Sequence, residues 1–315
     1  MSSTTQSVDP AATASTDQAP GEAAPPTGLL ATVSAYVGLM KPGILTLLLA
    51  TTLGGMLVGA ESVPALGLVI ATLIGGTLAA GGANVLNCYI DRDIDQQMHR
   101  TKGRGTASGV IPGRNALVFG VVLTVVAVVE LWVFTNWLAA ALALAGNLFY
   151  VFIYTLWLKR RTTQNIVIGG AAGAIPPMVG WAAATGSLSV AAVLMFAVIY
   201  YWTPPHFWAL ALLKQGEYGR ALVPMLPVVD GEQETRRQIV LYTILLTCVS
   251  LLLVAFGLDW IYLAAAVVLN GLFLWLAYEL YVRPSKAVAR KMFFYSLWYL
   301  ALVFGAMVAD RLILA

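Results

Sequence analysis

Charge is what this chain has least of. Only 10% of its 315 residues are Asp, Glu, Lys or Arg, while 59% are apolar and the mean hydropathy is +0.81. A soluble domain carries about 25% charged residues, so a soluble enzyme is excluded and a polytopic membrane protein remains. Cysteine is almost missing too. Cys88 and Cys248 lie in or beside apolar stretches with no pairing pattern, which argues against a disulfide framework or a zinc site. Of the two histidines, only His206 falls inside an apolar stretch. The net charge of +3 follows from membrane topology, and nothing points to nucleic acid. The first 27 residues hold three acidic residues and no basic one. They read as a disordered tail that is neither a mitochondrial presequence nor a secretory signal, which favours a bacterial plasma membrane. Residues 28–315 are expected to form one transmembrane unit.

What is abundant is long apolar runs. A hydrocarbon core of about 30 Å needs about 20 apolar residues per helix. Such runs are expected near residues 43–61, 66–87, 116–135, 138–157, 165–184, 190–213, 239–257, 260–282 and 293–312. The expected fold is all-α, with nine transmembrane helices around a cytoplasm-facing cavity. If the amino terminus is cytoplasmic, 17 of the 18 basic residues face the cytoplasm and only Arg311 does not. The opposite loops carry just Glu61 and Asp259, so the carboxy terminus is expected outside. Two cytoplasmic segments, 88–115 and 214–238, are the longest loops and follow the second and sixth spans, a weak hint of two related halves.

The second span ends in Asn87-Cys-Tyr-Ile-Asp91-Arg-Asp-Ile-Asp95. At about 100° and 1.5 Å per residue, steps of four keep Asn87, Asp91 and Asp95 on one helix face and turn Asp93 away. Like charges at i and i+4 destabilise an isolated helix, and a bound divalent cation would account for the pairing. Asp91 and Asp95, with Asn87, offer oxygen ligands suited to Mg²⁺, which usually completes its shell with water and phosphate. A diphosphate is the natural partner. Arg92, Arg100, Lys102 and Arg104 follow and could clamp phosphoryl oxygens, although an ordinary positive-inside loop would read the same. Lys159 after Tyr154 is a further phosphate candidate, whereas Arg160 and Arg161 are as well explained by snorkelling.

The fifth span contains Ile175-Pro176-Pro177 and the sixth Tyr201-Trp202-Thr203-Pro204-Pro205-His206-Phe207-Trp208. Both proline pairs should open their helices. His206 could ligate iron, move a proton or bond a freed carbonyl, and the aromatic rings could shield a carbocation or simply pack. Beyond that span, Lys214, Glu217 and Tyr218 suggest phosphate positioning or gating.

These motifs resemble the intramembrane aromatic prenyltransferase superfamily, and within it the haem O synthase family. The acidic motif carries the first resemblance. The second rests on Lys41-Pro42, residues 89–95, Arg100-Thr-Lys102, residues 165–170 and 174–180, Trp202 to Ala209 and residues 223–229. Gly43 and the segment Arg104-Gly-Thr-Ala depart from the usual pattern, and Lys214 with Glu217-Tyr218 replaces an acidic pair found in other prenyltransferases. The resemblance implies transfer of a farnesyl group from farnesyl diphosphate to a vinyl group of haem B. It further implies Mg²⁺ at Asp91, Asp95 and Asn87, and diphosphate binding by Arg92, Arg100, Lys102, Lys159 and Lys214. The acceptor cavity would involve Tyr154, Tyr201, Trp202, His206, Glu217 and Tyr218. Membrane lipid surrounds such an enzyme, and a haem A synthase or terminal oxidase assembly factor is a conceivable partner. Another aromatic acceptor, such as a quinone precursor or a chlorophyllide-like ring, would need the same metal site. A haem or prenyl-lipid carrier would not consume the diphosphate.

Overall fold

The computed structural model describes residues 28–60 and 63–314, and the expected tail 1–27 and Glu61 lie outside the described residues. Among the described residues nine helices are long and apolar enough to cross a membrane. They are α2 (Pro42–Gly59), α3 (Leu66–Ile90), α5 (Gly113–Phe134), α6 (Trp137–Leu148) with its π-helical continuation Phe149–Leu158, the pair α7 (Asn165–Ala174) and α8 (Pro176–Thr185), α9 (Val190–Leu213), α12 (Gly231–Leu252) with a 3₁₀ turn to Phe256, α13 (Trp260–Val282) and α14 (Lys286–Leu314). Short helices α1 (Leu29–Leu39), α4 (Arg92–Gln97), α10 (Gln215–Arg220) and α11 (Leu226–Val229) lie between or before them. The chain is a multi-pass membrane protein.

Each expected span is found, but the seventh and ninth begin earlier, at Gly231 and Lys286. Their first turns are charged, with local pairs in α12 such as Arg236–Glu232 at 3.2 Å and exposed Lys286, Arg290 and Lys291 in α14, which lets those helices extend past the apolar layer. The lipid-facing sides are plain in α5, where Val118, Val122, Val125, Val129 and Trp132 are exposed.

Packing closes the helices into a ring. α3 lies against α5, α5 against α6, α6 and α2 against α8, α7 against α9, α9 against α12 and α14, and α14 returns to α2. In lipid such contacts depend on close van der Waals approach, so small residues occupy the crossings. A Cβ on Gly180 would stand 1.8 Å from the Thr52 carbonyl oxygen, and one on Gly55 would stand 2.1 Å from that of Pro177. Backbone therefore touches backbone where α2 crosses α8.

The two proline pairs behave differently. Pro176 and Pro177 separate α7 from α8, as expected. Pro204 and Pro205 do not open α9, which runs unbroken from Val190 to Leu213. The expectation of a broken sixth span is corrected. Both prolines are buried among neighbouring helices, whose packing holds the helical path although two backbone donors are missing.

Candidate active site

The acidic motif sits at a joint. α3 ends at Ile90 and α4 begins at Arg92, with Asp91 (φ −88°, ψ 9°) between them. The four-residue register survives, because Asp91 N–H donates to the Asn87 carbonyl at 2.9 Å and Asp95 N–H to that of Asp91 at 2.8 Å. Asn87, Asp91 and Asp95 are all buried, at no more than 2% exposure. A carboxylate removed from water needs a partner. Lys159 Nζ supplies one to Asp91 Oδ2, which also accepts from Asn87 Nδ2 at 2.7 Å. A single Arg104 nitrogen spans both oxygens of Asp95, at 2.8 and 2.9 Å.

The neighbouring charges repeat the pattern. Lys41 Nζ donates to Asn87 Oδ1 at 2.7 Å. Arg160 forks onto the exposed Asp93 with two bonds of 2.7 Å and reaches to 3.8 Å from Asp91. Lys159, from 68 residues away, and Arg104, nine residues on, offset the repulsion between the carboxylates in this structure, beside the bound cation that the motif suggests. These contacts also shift ionisation at the rim. Burial pushes the Lys41 ammonium down to about 8, and the Arg160 hydrogen bond holds Asp93 below the usual carboxylate range. Burial opposes charge on Arg104, but Asp95 outweighs it and raises the guanidinium above its ordinary value.

The approach of Lys159 depends on an unusual backbone. Residues 149–158 form a π-helix, and Lys159 N–H donates to the Tyr154 carbonyl five residues back at 2.9 Å. π turns are rare and recur at functional sites. Here the wide turn presents Thr155, whose Oγ1 accepts from Asn87 at 3.1 Å, together with Lys159. Tyr154 stacks on Tyr150 at 5.3 Å and packs so near Gly169 that a Cβ there would lie 2.2 Å from its ring.

Tyr218 of α10 packs with Ile94 and Met98 beside the acidic joint, and Tyr154 borders the same apolar cluster. The two long loops therefore meet. Burial raises the Tyr218 phenol, and the Lys214 hydrogen bond at 2.8 Å lowers the Glu217 carboxyl. Arg100 lies close enough to act electrostatically on both, and with Arg104 it lines a 410 Å³ cavity beneath Ser34 and Gly38 of α1. Lys102 is exposed near that rim. Arg92 folds back onto the end of α3, donating to the Tyr89 carbonyl at 2.8 Å with its guanidinium 4.9 Å from the Tyr89 ring. In this structure it is directed away from the joint.

A second group lies deeper. Trp202 stacks on His206 at 4.4 Å between centroids, Phe293 stacks on it at 4.9 Å, and His206 meets Ser296 of α14. Ala211, which packs beside Tyr218, is five residues beyond His206, so the histidine sits about 7 Å further along α9. Tyr201 turns elsewhere, towards Tyr242 of α12 at 6.3 Å.

The motif suits a hard divalent cation. Among the described residues no three His, Cys, Asp or Glu side chains cluster as a self-sufficient cage. Two carboxylates and an amide are instead the partial donor set that leaves positions for phosphate oxygens and water. Asp91 Oδ1 is buried and makes no hydrogen bond. Arg160 Nη2 stands 3.8 Å from it, so the oxygen's lone pairs fit the needs of a cation.

The sequence marks Lys41 only as part of a string and Arg104 as a phosphate clamp rather than the partner of Asp95, and it gives Thr155 and Ser296 no role. Asn147 also went unnoticed; it bonds the Ala79 carbonyl at 2.9 Å and ties α6 to α3 behind the motif. Their signal was polarity within or beside apolar spans.

Residues 48–299 match the model of the UbiA prenyltransferase family. The chain belongs to that family. Among curated relatives, one from Chloroflexus aurantiacus named protoheme IX farnesyltransferase is 55% identical over 90% of this chain and 48% of its own length. Another of that name from Trichodesmium erythraeum is 50% identical over 90% of this chain and 88% of its own. The chain thus spans about half the length of the Chloroflexus and Roseiflexus relatives it matches. UbiA-type folds already solved superpose on it. One, described as a digeranylgeranylglyceryl phosphate synthase, gives a TM-score of 0.74 at 18% identity, covering 89% of this chain and 98% of that one. A UbiA homologue from Archaeoglobus fulgidus bound to GPP and Mg²⁺ gives 0.63 at 14%, covering 87% and 99%. At those identities the likeness establishes the fold.

Proposed function

We propose that this protein transfers the farnesyl group of farnesyl diphosphate to a vinyl group of haem B, with addition of water, giving haem O and diphosphate. The acceptor and donor follow from the names of relatives sharing 50–55% of its residues. The chemistry rests on one observation: Asp91, wholly buried at a helix joint, has one oxygen held by Lys159 and Asn87 and the other free of any hydrogen bond.

Asp91 and Asp95, with Asn87, would hold Mg²⁺, which when bound supplies Lewis-acid neutralisation of the diphosphate. Everything else falls to the chain. Lys159, Arg160 and Arg104 stand on the carboxylates and are placed to meet the negative charge that develops as the allylic C1–O bond breaks. Arg100, Lys102 and Lys214 stand at the rim, where they draw the diphosphate in. The vinyl π electrons form the new bond to farnesyl C1. The new bond forms at the outer vinyl carbon, and the resulting positive charge on the inner carbon, the one bonded to the macrocycle, is quenched by one water, whose proton leaves to a base. His206 is the candidate base or iron contact, because it sits deeper than the charged end and within an aromatic stack that excludes bulk water.

The same reading places the amino terminus and the charged end in the cytoplasm of a bacterium, with the carboxy terminus outside, because 17 of 18 basic residues then obey the positive-inside rule. It treats residues 28–315 as one transmembrane unit and gives the protein two substrates, with lipid as its surroundings.

The test is an assay of membranes given haem B, farnesyl diphosphate and Mg²⁺, with products separated and weighed by mass spectrometry. Haem O should form with the wild type and fail with Asp91→Ala or after chelation of the metal. Farnesyl diphosphate consumed only with another aromatic acceptor would overturn the haem assignment.

A further inference from the structure

Helix α9 reaches α14 through two hydrogen bonds that end on one residue. Trp202 Nε1 donates to the Ser296 carbonyl at 2.8 Å, and one turn later His206 Nδ1 lies 2.6 Å from Ser296 Oγ. The same hydroxyl lies 2.6 Å from the Phe293 carbonyl oxygen. Two oxygens approach that closely when a proton lies between them, and a carbonyl has none to give. The hydroxyl proton is committed to Phe293, so Ser296 Oγ turns a lone pair towards the imidazole. His206 Nδ1 is then the donor. A neutral imidazole has one N–H, which leaves the ring lone pair on Nε2. That atom makes no hydrogen bond among the described residues, and the Trp202 and Phe293 stacks fix the plane in which it points.

We propose that Ser296 is the positioning residue that sets the His206 tautomer and presents the Nε2 lone pair to the macrocyclic acceptor. The serine would do so whether the lone pair takes iron or the proton released by the captured water. Protonation at Nε2 leaves Nδ1–H in place, so the Ser296 bond persists in both states. The identity of the acceptor rests on the function proposed above, whereas the tautomer does not.

The chain contains two histidines, which makes the experiment clean. Full-length protein labelled with ¹⁵N-histidine would be examined by NMR without substrates, and the exposed His99 assigned by His99→Gln. His206 should show a protonated Nδ1 and an unprotonated Nε2; the opposite pattern would overturn the proposal. In Ser296→Ala the tautomers should mix, and haem B affinity or kcat should fall about tenfold with KM for farnesyl diphosphate unchanged. Ser296→Thr, which keeps the hydroxyl, should restore both. A Soret shift on haem binding that His206→Ala abolishes assigns the lone pair to iron. A kcat that follows one ionisation without such a shift assigns it to the proton. An unchanged tautomer and kcat in Ser296→Ala would sink the role of the serine. The expected tautomer in a protein that makes no haem O would instead sink the proposed acceptor.

Discussion

Two joints in this molecule have the same construction and opposite chemistry. α3 runs into the six-residue helix α4 through Asp91, and α9 runs into the six-residue helix α10 through Lys214; each joining residue ends one helix and starts the next. At the first joint an acid is wholly buried and its counter-ion, Lys159, comes from 68 residues away. At the second a base is 43% exposed on its side chain and its counter-ion, Glu217, is three residues along the same helix. A long-range buried pair exists only when the whole fold assembles it, while a pair three residues apart forms on any helix. The first joint is thus the one the tertiary structure was built to hold, and the second serves as its rim.

Neutralising each joint should give the largest contrast. Asp91→Asn keeps the shape and removes the charge, and haem O formation should drop by about 10³. Glu217→Gln should cost less than about fivefold, because its counter-ion Lys214 is local and half-exposed. Turnover by product mass spectrometry decides it, and equal losses at the two joints would erase the distinction.

Removing the cations compares the same joints through stability. Lys159→Met leaves Asp91 buried with the Asn87 amide and only the longer 3.8 Å contact to Arg160, and unfolding in detergent should become easier by about 3 kcal/mol. Lys214→Met should change it by less than about 1 kcal/mol. If the double variant Lys159→Met/Asp91→Asn recovers most of the loss, the effect belongs to the stranded charge rather than to lost packing.

How much of this was readable beforehand depends on distance along the chain. Span positions and the shared face of Asn87, Asp91 and Asp95 follow from local periodicity, and local hydrogen bonds enforce it. The partner Lys159 belongs to another segment and Arg104 reaches back across a loop, and hydropathy reports depth in the membrane but not which way a helix is turned. The π-helix at 149–158 is equally silent, since its residues are as apolar as those of any span. The prolines make the point from the other side: the same dipeptide breaks α7 from α8 and leaves α9 whole, because surrounding packing decides what local chemistry only permits. His206 was visible as an oddity, yet its anchor Ser296, ninety residues on, was not.

The smallest expected effect lies at Lys41, which belongs to the first joint through Asn87. Its backbone is left-handed, φ 58°, a conformation that costs a non-glycine residue about 1 kcal/mol and here aims Nζ inward. Burial lowers its ammonium from 10.5 to about 8, so two pH dependences of opposite sign should follow, binding with its midpoint there and stability changing from there up to 10.5. Between the folded and ordinary values the unfolded chain holds a proton that the folded one has shed, so stability should rise with pH across that window. Attraction for the diphosphate should weaken as the folded ammonium loses its proton, raising KM for farnesyl diphosphate a few-fold as pH climbs from about 7 to about 9. Lys41→Arg stays charged throughout and should flatten both curves. Lys214, exposed at the other joint, provides the control: its removal should leave the midpoint where it is. A wild-type KM that does not move through that range would detach Lys41 from the site.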